Sequence, residues 1–336
     1  MSASIPILPL LSSRFFELTV LPTEQCNLRC QYCYEDFKMG KMERPIVEGL
    51  KLLLRKRSVE LTQLRLKWFG GEPLLAKEIV LEISAFAQTV AAQSGAVFVG
   101  SITTNGVLLD TGTFRNLTSA GIRGYQVALD GPKDVHDRKR VNAVGRGSFE
   151  QIWRNLEAMC DTGEHFDAVI RLHVTPETYE ACRAFVVALK SAFGADQRFR
   201  LFVKPIQRLG SKNDHSISSF GGGNEHALLE DLNLRFRPMQ GSQASRSAPC
   251  YAAHANSFVI RADGSVGKCT VALNDDRNRI GQLCSDGRIE IDDDRHAPWL
   301  RGLISGDERA LTCPLAGMKY LTIHKGHQAT APKTNY

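Results

Sequence analysis

The sequence predicts an α/β fold: a partial (βα)6 barrel of parallel strands, followed by a small α+β unit. Three observations carry this expectation. Short apolar runs rich in β-formers recur at residues 15–21, 64–69, 97–104, 125–130, 168–174 and 199–204, and amphipathic helical patterns at 46–56, 76–93, 113–120, 149–160 and 178–193 lie between them. Strands alternating with helices indicate a parallel sheet, and six units make a partial barrel where a closed one has eight. Beyond the sixth run the texture changes. Gly, Ser, Asn and Gln dominate 210–224 and 241–247 around a short helical stretch near 226–234, as in a linker or long active-site loop. The expected units are therefore a barrel at 14–208, a linker or loop at 209–249 and a smaller unit at 250–324, with 325–336 as a tail.

Each strand justifies itself by its alternation, because side chains point to opposite faces along a strand. Leu64, Leu66 and Trp68 oppose Arg65, Lys67 and Phe69. Tyr125, Val127 and Leu129 oppose Gln126 and Asp130. Ala168, Ile170, Leu172 and Val174 oppose Arg171 and His173, and Phe199, Leu201 and Val203 oppose Arg200, Phe202 and Lys204. The apolar set suits packing on outer helices, which leaves a polar set on the inner face. Closed barrels fill their interiors with branched apolar side chains. A polar interior fits an open barrel holding a polar ligand; the plainer alternative is a sheet with one solvated face. In the smaller unit, residues 256–260 and 265–270 around Asp263-Gly264 read as a hairpin.

Composition narrows the class. With 43% apolar and 23% charged residues over 336 positions, the chain is globular. No apolar run reaches the roughly 18–20 residues of a membrane span. The run at 5–11 is broken by Pro9 and has no basic residue before it, so neither a signal peptide nor a membrane partner is expected and the location is cytoplasmic. The net charge of +6 is mild and demands no nucleic acid. Nine cysteines, an odd number without an export signal, favour metal or redox chemistry over a disulfide framework.

Cys26-Asn27-Leu28-Arg29-Cys30-Gln31-Tyr32-Cys33 comes directly after the first strand, at the strand end where barrel enzymes place their chemistry. Three thiolates on one loop can hold three irons of a four-iron cluster and leave the fourth open to a substrate. Structural zinc wants four ligands, usually in paired C-x2-C units, and fits this spacing poorly.

The C-x3-C-x2-C spacing, with an aromatic residue before its last cysteine, resembles the radical S-adenosylmethionine superfamily. Phe69-Gly70-Gly71-Glu72-Pro73 looks like that family's GGEP motif and Thr103-Thr104-Asn105-Gly106 like its TNG segment. Ala128-Leu129-Asp130-Gly131-Pro132, with His136-Asp137 and Gly147-Ser148-Phe149, resembles the fourth-strand region of the peptide-modifying branch; together these cover roughly residues 15–205. The resemblance implies a 4Fe-4S cluster on Cys26, Cys30 and Cys33 with S-adenosyl-L-methionine on its open iron. One-electron cleavage then gives methionine and a deoxyadenosyl radical that abstracts a substrate hydrogen. It also implies cofactor contacts at Tyr32 (adenine), Gly70 and Gly71 (methionine amine), Glu72, Thr104, Asn105, Asp130 and Arg171. The plainer readings are that Glu72 caps the helix after Pro73, that Asn105-Gly106 and Asp130 shape turns, and that Arg171 is a buried partner of Asp130. His173 stands where many relatives carry asparagine. His136-Asp137 reads as a loop salt bridge before a metal site, and Cys160 and Cys182 as small core residues.

Cys250 and Cys269 frame a second pattern. Thirteen residues separate Cys250 from Gly264 and four separate Gly264 from Cys269. This resembles the start of the SPASM or twitch extension, which binds auxiliary iron–sulfur clusters in peptide-modifying radical enzymes, and 279–283 resembles the next stretch of that extension. The likeness then thins, because only Cys284 and Cys313-Pro314 remain. One auxiliary cluster of the 4Fe-4S type on Cys250, Cys269 and Cys313 is the expectation, its fourth position taken by Cys284 or left open for substrate; zinc on the same four thiols, or an extension without metal, are the alternatives.

The implied function is post-translational modification of a ribosomally made precursor peptide by an oxidoreductase-type maturase, foremost crosslinking of side chains through C–C, C–O or thioether bonds. Epimerisation, sulfatase-maturase-like oxidation of Ser or Cys, and twitch-type dehydrogenation of a small molecule are the alternatives. The implied partners are the peptide, an electron donor such as flavodoxin or ferredoxin, and a separate leader-recognition protein, since the first strand begins near Phe15. No catalytic acid or base is assigned from the residues.

Overall fold

The computed structural model describes residues 7–209, 213–220, 225–236 and 248–319. Six parallel strands, β1 (Phe15–Val20), β2 (Gln63–Trp68), β3 (Val97–Thr104), β4 (Ile122–Leu129), β5 (Asp167–Val174) and β6 (Phe199–Pro205), lie side by side in chain order. Helices α1 (Leu8–Leu11), α2 (Arg44–Ser58), α3 (Lys77–Ser94), α4 (Thr111–Ser119), α5 (Lys133–Lys139), α6 (Phe149–Cys160), α7 (Tyr179–Phe193) and α8 (Glu225–Phe236) complete this part. The sheet does not close, so the expected partial barrel is the observed one.

The alternation read from the sequence is the packing. Leu64, Leu66 and Trp68 of β2, Tyr125, Val127 and Leu129 of β4, and Ala168, Ile170, Leu172 and Val174 of β5 are buried in one continuous core with the outer helices. Leu201 of β6 is only partly buried. The helix ends obey local chemistry. Asp110 caps α4 by accepting from Thr113 N–H at 2.7 Å, and α3 ends at Gly95 in the left-handed region, φ +73°.

The segment after Cys250 continues the barrel's own sheet. Strand β7 (Ser257–Ile260) pairs in parallel with β1, and β8 (Ser265–Gly267), β9 (Gly281–Leu283) and β10 (Ile289–Ile291) are added antiparallel, giving the order β10-β9-β8-β7-β1-β2-β3-β4-β5-β6. The hairpin turn is where it was expected, with Gly264 at φ +78°. Flanked by β2 and β7, β1 is buried on both faces from Phe16 to Val20. The helical stretch expected near 226–234 is α8, whereas parts of the expected loop (210–212, 221–224 and 237–247) and the 325–336 tail lie outside the described residues. Among the described residues no helix is long and apolar enough to cross a membrane.

Candidate active site

The loop leaving β1 carries Cys26, Cys30 and Cys33. Its backbone is sewn to the end of α5 and the segment that follows: Gln31 N–H donates to Lys139 O at 3.1 Å and Arg29 N–H to Val141 O at 2.7 Å. The Arg29 guanidinium braces the turn by donating to Cys26 O (2.6 Å) and Leu28 O (2.8 Å), and sits 5.0 Å from the Phe37 ring. Phe37 is left-handed at φ +55°, an uncommon conformation for a bulky side chain. Its carbonyl accepts from Gln25 Nε2.

The three thiols act on one another. Burial pushes Cys26 and Cys33 up to about 12 and Cys30 upward as well, and each ionised neighbour raises Cys26 and Cys33 further. Thiols so placed ionise when a metal meets them, since the thiolate is the ligand form. Among the described residues no three His, Cys, Asp or Glu side chains converge as ligands of a single ion do. An open trio on one loop suits the separate corners of a four-iron cluster.

Glu72 proves to be a lock between loops. It is 0% exposed, and its carboxylate accepts from Leu74 N–H (3.0 Å), Thr104 Oγ1 (2.8 Å) and Asn105 N–H (2.7 Å). Burial raises its pKa against the pull of these donors. Glu72 and Thr104, both expected as cofactor contacts, brace the loops here, and the Thr104 hydroxyl also accepts from Gly106 N–H at 3.1 Å. Asn105 reaches the cysteine loop, with Nδ2 at 2.7 Å from Asn27 Oδ1 and 3.7 Å from Cys26 Sγ. Gly71 is forced by contact: a Cβ there would stand 2.6 Å from Glu24 O. Gly70 adds a left-handed φ of +107°. Both glycines let the loop after β2 lie against the backbone ahead of Cys26.

Asp130, at the end of β4, organises the opposite wall. Tyr32 Oη donates to its Oδ1 at 2.9 Å, His173 Nδ1 lies 3.1 Å from both oxygens, and Arg140 Nη1 donates to Tyr32 Oη at 2.8 Å. Burial works against the Asp130 carboxylate, but the His173 hydrogen bond and the Arg140 charge outweigh it and hold the pKa well below the usual range. Burial keeps His173 neutral despite Asp130. Tyr32 thus ties the cysteine loop to β4 and β5. His136 is neither metal ligand nor partner of Asp137. Its Nδ1 accepts from Asp130 N–H at 3.3 Å and its Nε2 meets Ser148 Oγ at 3.0 Å, while Asp137 accepts from the N–H groups of Ser148 and Phe149.

Three buried polar atoms on this wall have no hydrogen-bond partner: Asp130 Oδ2, Arg140 Nε and Arg171 Nε. Arg171 is not the partner of Asp130; its pKa is lowered by burial, with Tyr32 and Tyr34 nearby. An orphaned acceptor and an orphaned guanidinium N–H beside a thiol trio fit a ligand carrying hydroxyls and a carboxylate, as S-adenosylmethionine does.

The C-terminal cysteines form a looser group. Cys250, Cys269 and Cys313 lie within reach of one another's charge, and burial raises Cys250 and Cys269 first, each neighbouring sulfur adding to it. Asn278 holds the Cys269 turn: Oδ1 accepts from the N–H groups of Lys268 (2.8 Å) and Cys269 (2.9 Å), and Nδ2 donates to Cys269 O (2.8 Å) and Ala272 O (3.0 Å). Arg301 ties down the Cys313 turn through Pro314 O and Ala316 O. Cys284 is not part of this group, which corrects the four-ligand expectation. Val266 pairs with Gly281 in the antiparallel β8–β9 ladder, so Cys269 and Cys284 leave it at opposite ends. The charges around Cys284 are Glu290, Asp286 and Arg288.

A cleft of roughly 500 Å³ is lined by residues that follow cysteines of both trios, Tyr34, Val271 and Leu315, together with Leu209, Asn274 and Asp276 among others. Tyr34 is the next residue after Cys33, Val271 comes two residues after Cys269, and Leu315 comes two after Cys313. Tyr34 Oη donates to Thr270 O at 3.1 Å, joining the two loops directly. Sequence reasoning missed Arg140, Asn278, Lys268 and Glu35. Glu35 is a buried carboxyl with an unpartnered Oε2, pushed up to about 8 by burial and then by Glu24. Its place two residues after Cys33 was the available signal. Burial likewise pushes the Lys268 ammonium down to about 7.

The family model described as Radical SAM superfamily matches residues 20–186, which hold the first trio but not the second. A GTP 3',8-cyclase of Nostoc punctiforme is 33% identical over 145 residues, 42% of this chain and 42% of the relative, so that match spans less than half of the relative's length. A probable GTP 3',8-cyclase of Methanococcus vannielii is 24% identical over 280 residues, 78% of this chain and 86% of the relative. Among solved structures, native anSMEcpe with bound AdoMet and Kp18Cys peptide superposes with a TM-score of 0.61 at 21% identity, covering 80% of this chain and 78% of that one. Streptococcus suis SuiB bound to precursor peptide SuiA gives 0.56 at 15% identity, covering 80% and 62%. These structural likenesses show the shared fold.

Proposed function

The chain belongs to the radical SAM superfamily, and from that premise we propose that it is a peptide maturase that crosslinks side chains of a ribosomally made precursor in the cleft shared by its two thiol trios. Bound at Cys26, Cys30 and Cys33 and at Cys250, Cys269 and Cys313, iron–sulfur clusters supply reductive cleavage of S-adenosylmethionine at the first trio and an electron sink at the second. The chain's own residues do the rest. Arg171 anchors a carboxylate and Asp130 Oδ2 receives a hydroxyl, both atoms being otherwise unpaired. Glu72, Asn105 and Tyr32 fix the loops that meet there. Tyr34, Val271 and Leu315 supply the apolar part of the cleft's lining.

The observation that carries this reading is the cleft, where a residue just past a cysteine of each trio lines one space. Its described lining holds Asp275 and Asp276 and no Lys or Arg, which suits an apolar or basic peptide side chain better than a polyphosphate. A nucleotide substrate is the second reading. It rests on relatives named GTP 3',8-cyclase and on the cations Arg171 and Lys204, which lie near each other on β5 and β6.

Anaerobic reconstitution decides between them. The protein is incubated with S-adenosylmethionine, a one-electron donor and either a library of precursor-type peptides or GTP, and products are read by mass spectrometry. The peptide reading expects peptide lighter by two hydrogens per crosslink, with GTP returned intact. Conversion of GTP with the peptide unchanged would overturn it.

A further inference from the structure

The turn at 142–147 hangs directly on the first cysteine loop. Leu28, between Cys26 and Cys30, forms an antiparallel bridge with Asn142, and Val141 forms another with Gly147. The Leu28 N–H lies 3.4 Å from Cys26 Sγ. Asn142 closes the turn: its N–H donates to Arg146 O at 2.9 Å, and its Oδ1 accepts from the N–H groups of Val144 (3.0 Å) and Arg146 (2.9 Å). Gly145 takes the left-handed position, φ +77°. A short bonded route thus runs from a thiol of the first trio to the protein surface.

That surface is an apolar tip among cations. Val144 is 76% exposed, and Arg29, Arg138 and Arg146 are exposed on the turn and on the segments bonded to it. Residues 133–147 carry five Lys or Arg against two Asp, which is half of the chain's net charge of +6. Among the described residues no carboxylate pairs with Arg29 or Arg146. Arg138 meets Asp134 at 3.1 Å, but with both side chains about two-thirds exposed such a pair contributes little. Lys133 is taken up by Glu150 at 3.0 Å and Asp137 at 3.7 Å. Three exposed arginines are too short a track for a nucleic acid, whose binding scales with the phosphates neutralised. A small apolar centre with a cationic rim suits the brief encounters of electron carriers, which bury little area and are steered by opposite charge.

We propose that this face, the 142–147 turn with Arg29 and Arg138, is where an acidic one-electron carrier protein docks to reduce the cluster held by Cys26, Cys30 and Cys33. One electron leaves the reduced carrier and enters the cluster, and no bond forms or breaks at the interface. The proposal rests on the first trio holding that cluster and is independent of whether the substrate is a peptide or a nucleotide.

The test compares the full reconstituted chain with Arg138→Glu/Arg146→Glu. The control is Lys190→Glu, an exposed lysine in the last turn of α7, at the end of the barrel away from the cysteine loop. Binding of an oxidised acidic flavodoxin and of an oxidised acidic ferredoxin is measured by surface plasmon resonance at low and high salt. Deoxyadenosine formation is then driven either by the reduced carrier or by dithionite, a small reductant that needs no docking face. The parent and Lys190→Glu should bind at least one carrier alike and release it as salt rises. The arginine reversal should weaken that binding, and slow carrier-driven deoxyadenosine, by about tenfold or more, with the dithionite-driven rate within about twofold of the parent. Unchanged binding and rate in the reversal overturn the proposal, as does a parent that binds neither carrier. Equal weakening by Lys190→Glu overturns it too, because it marks a general charge effect. So does a dithionite-driven rate that falls as far as the carrier-driven one, which marks damage to the cysteine loop. A parent that forms no deoxyadenosine with dithionite removes the cluster assignment itself, so the two failures are told apart.

Discussion

His136 shows how a side chain in this site is tuned by what surrounds it. Its Nδ1 accepts from Asp130 N–H, so the ring proton sits on Nε2 and points to Ser148 Oγ, which donates onward to Arg140 O at 2.9 Å. Protonation of Nδ1 would break the first link. Burial, with Arg140 adding to it, lowers the ring to about 4 from 6.5. The unfolded chain therefore binds more protons than the folded one between those values, and stability falls as pH drops through that window by up to about 1.4 kcal/mol per pH unit. Above about 6.5 the contribution is complete. In His136→Gln this slope is absent. Urea unfolding from about pH 7.5 to pH 4.5 should show the variant less stable at the upper end, with the gap narrowing toward the lower. A gap of constant size would contradict the neutral, buried assignment.

The loops are set at the level of elements, and here the sequence was uneven as a guide. The six barrel strands and the 256–270 hairpin were legible because alternation over six to eight residues, or a turn pair such as Asp263-Gly264, leaves a periodic trace. The three-residue strands β9 and β10 leave none, and the fate of Cys284 depends on them. In the sequence it stands between Cys269 and Cys313, but the antiparallel register carries it away from both. Glu72 shows the same limit. Its motif was readable, yet which of its two roles it fills depends on Thr104 and Asn105 arriving from β3. Asn278 was invisible because its four hydrogen bonds all reach across a turn. Each such bond contributes about 0.5–1.5 kcal/mol net, so Asn278→Ala should destabilise the protein by roughly 2–4 kcal/mol in urea titration. It should also lower iron at the second trio while leaving the first trio's iron in place. A variant with parental stability and full iron would show that the Cys269 turn stands without this brace.

Over the whole molecule, one continuous sheet places both trios. Strand β1 delivers the first at its carboxyl end, and its parallel pairing with β7 seats the unit that carries the second. The sequence marked both trios but could not show that Tyr34, Val271 and Leu315 meet in one cleft, since these residues lie 237 to 281 positions apart when counted from Tyr34. Two separate metal sites sharing one substrate space is the central claim, and iron and deoxyadenosine measured together in Cys250→Ala/Cys269→Ala test it most directly. Iron should fall from about eight to about four per chain, on four irons per cluster. Deoxyadenosine should still form, because Cys26, Cys30 and Cys33 sit on another loop with their own bracing, while peptide modification stops. Zinc in place of iron in the unaltered protein, or full product from the double variant, would contradict the claim.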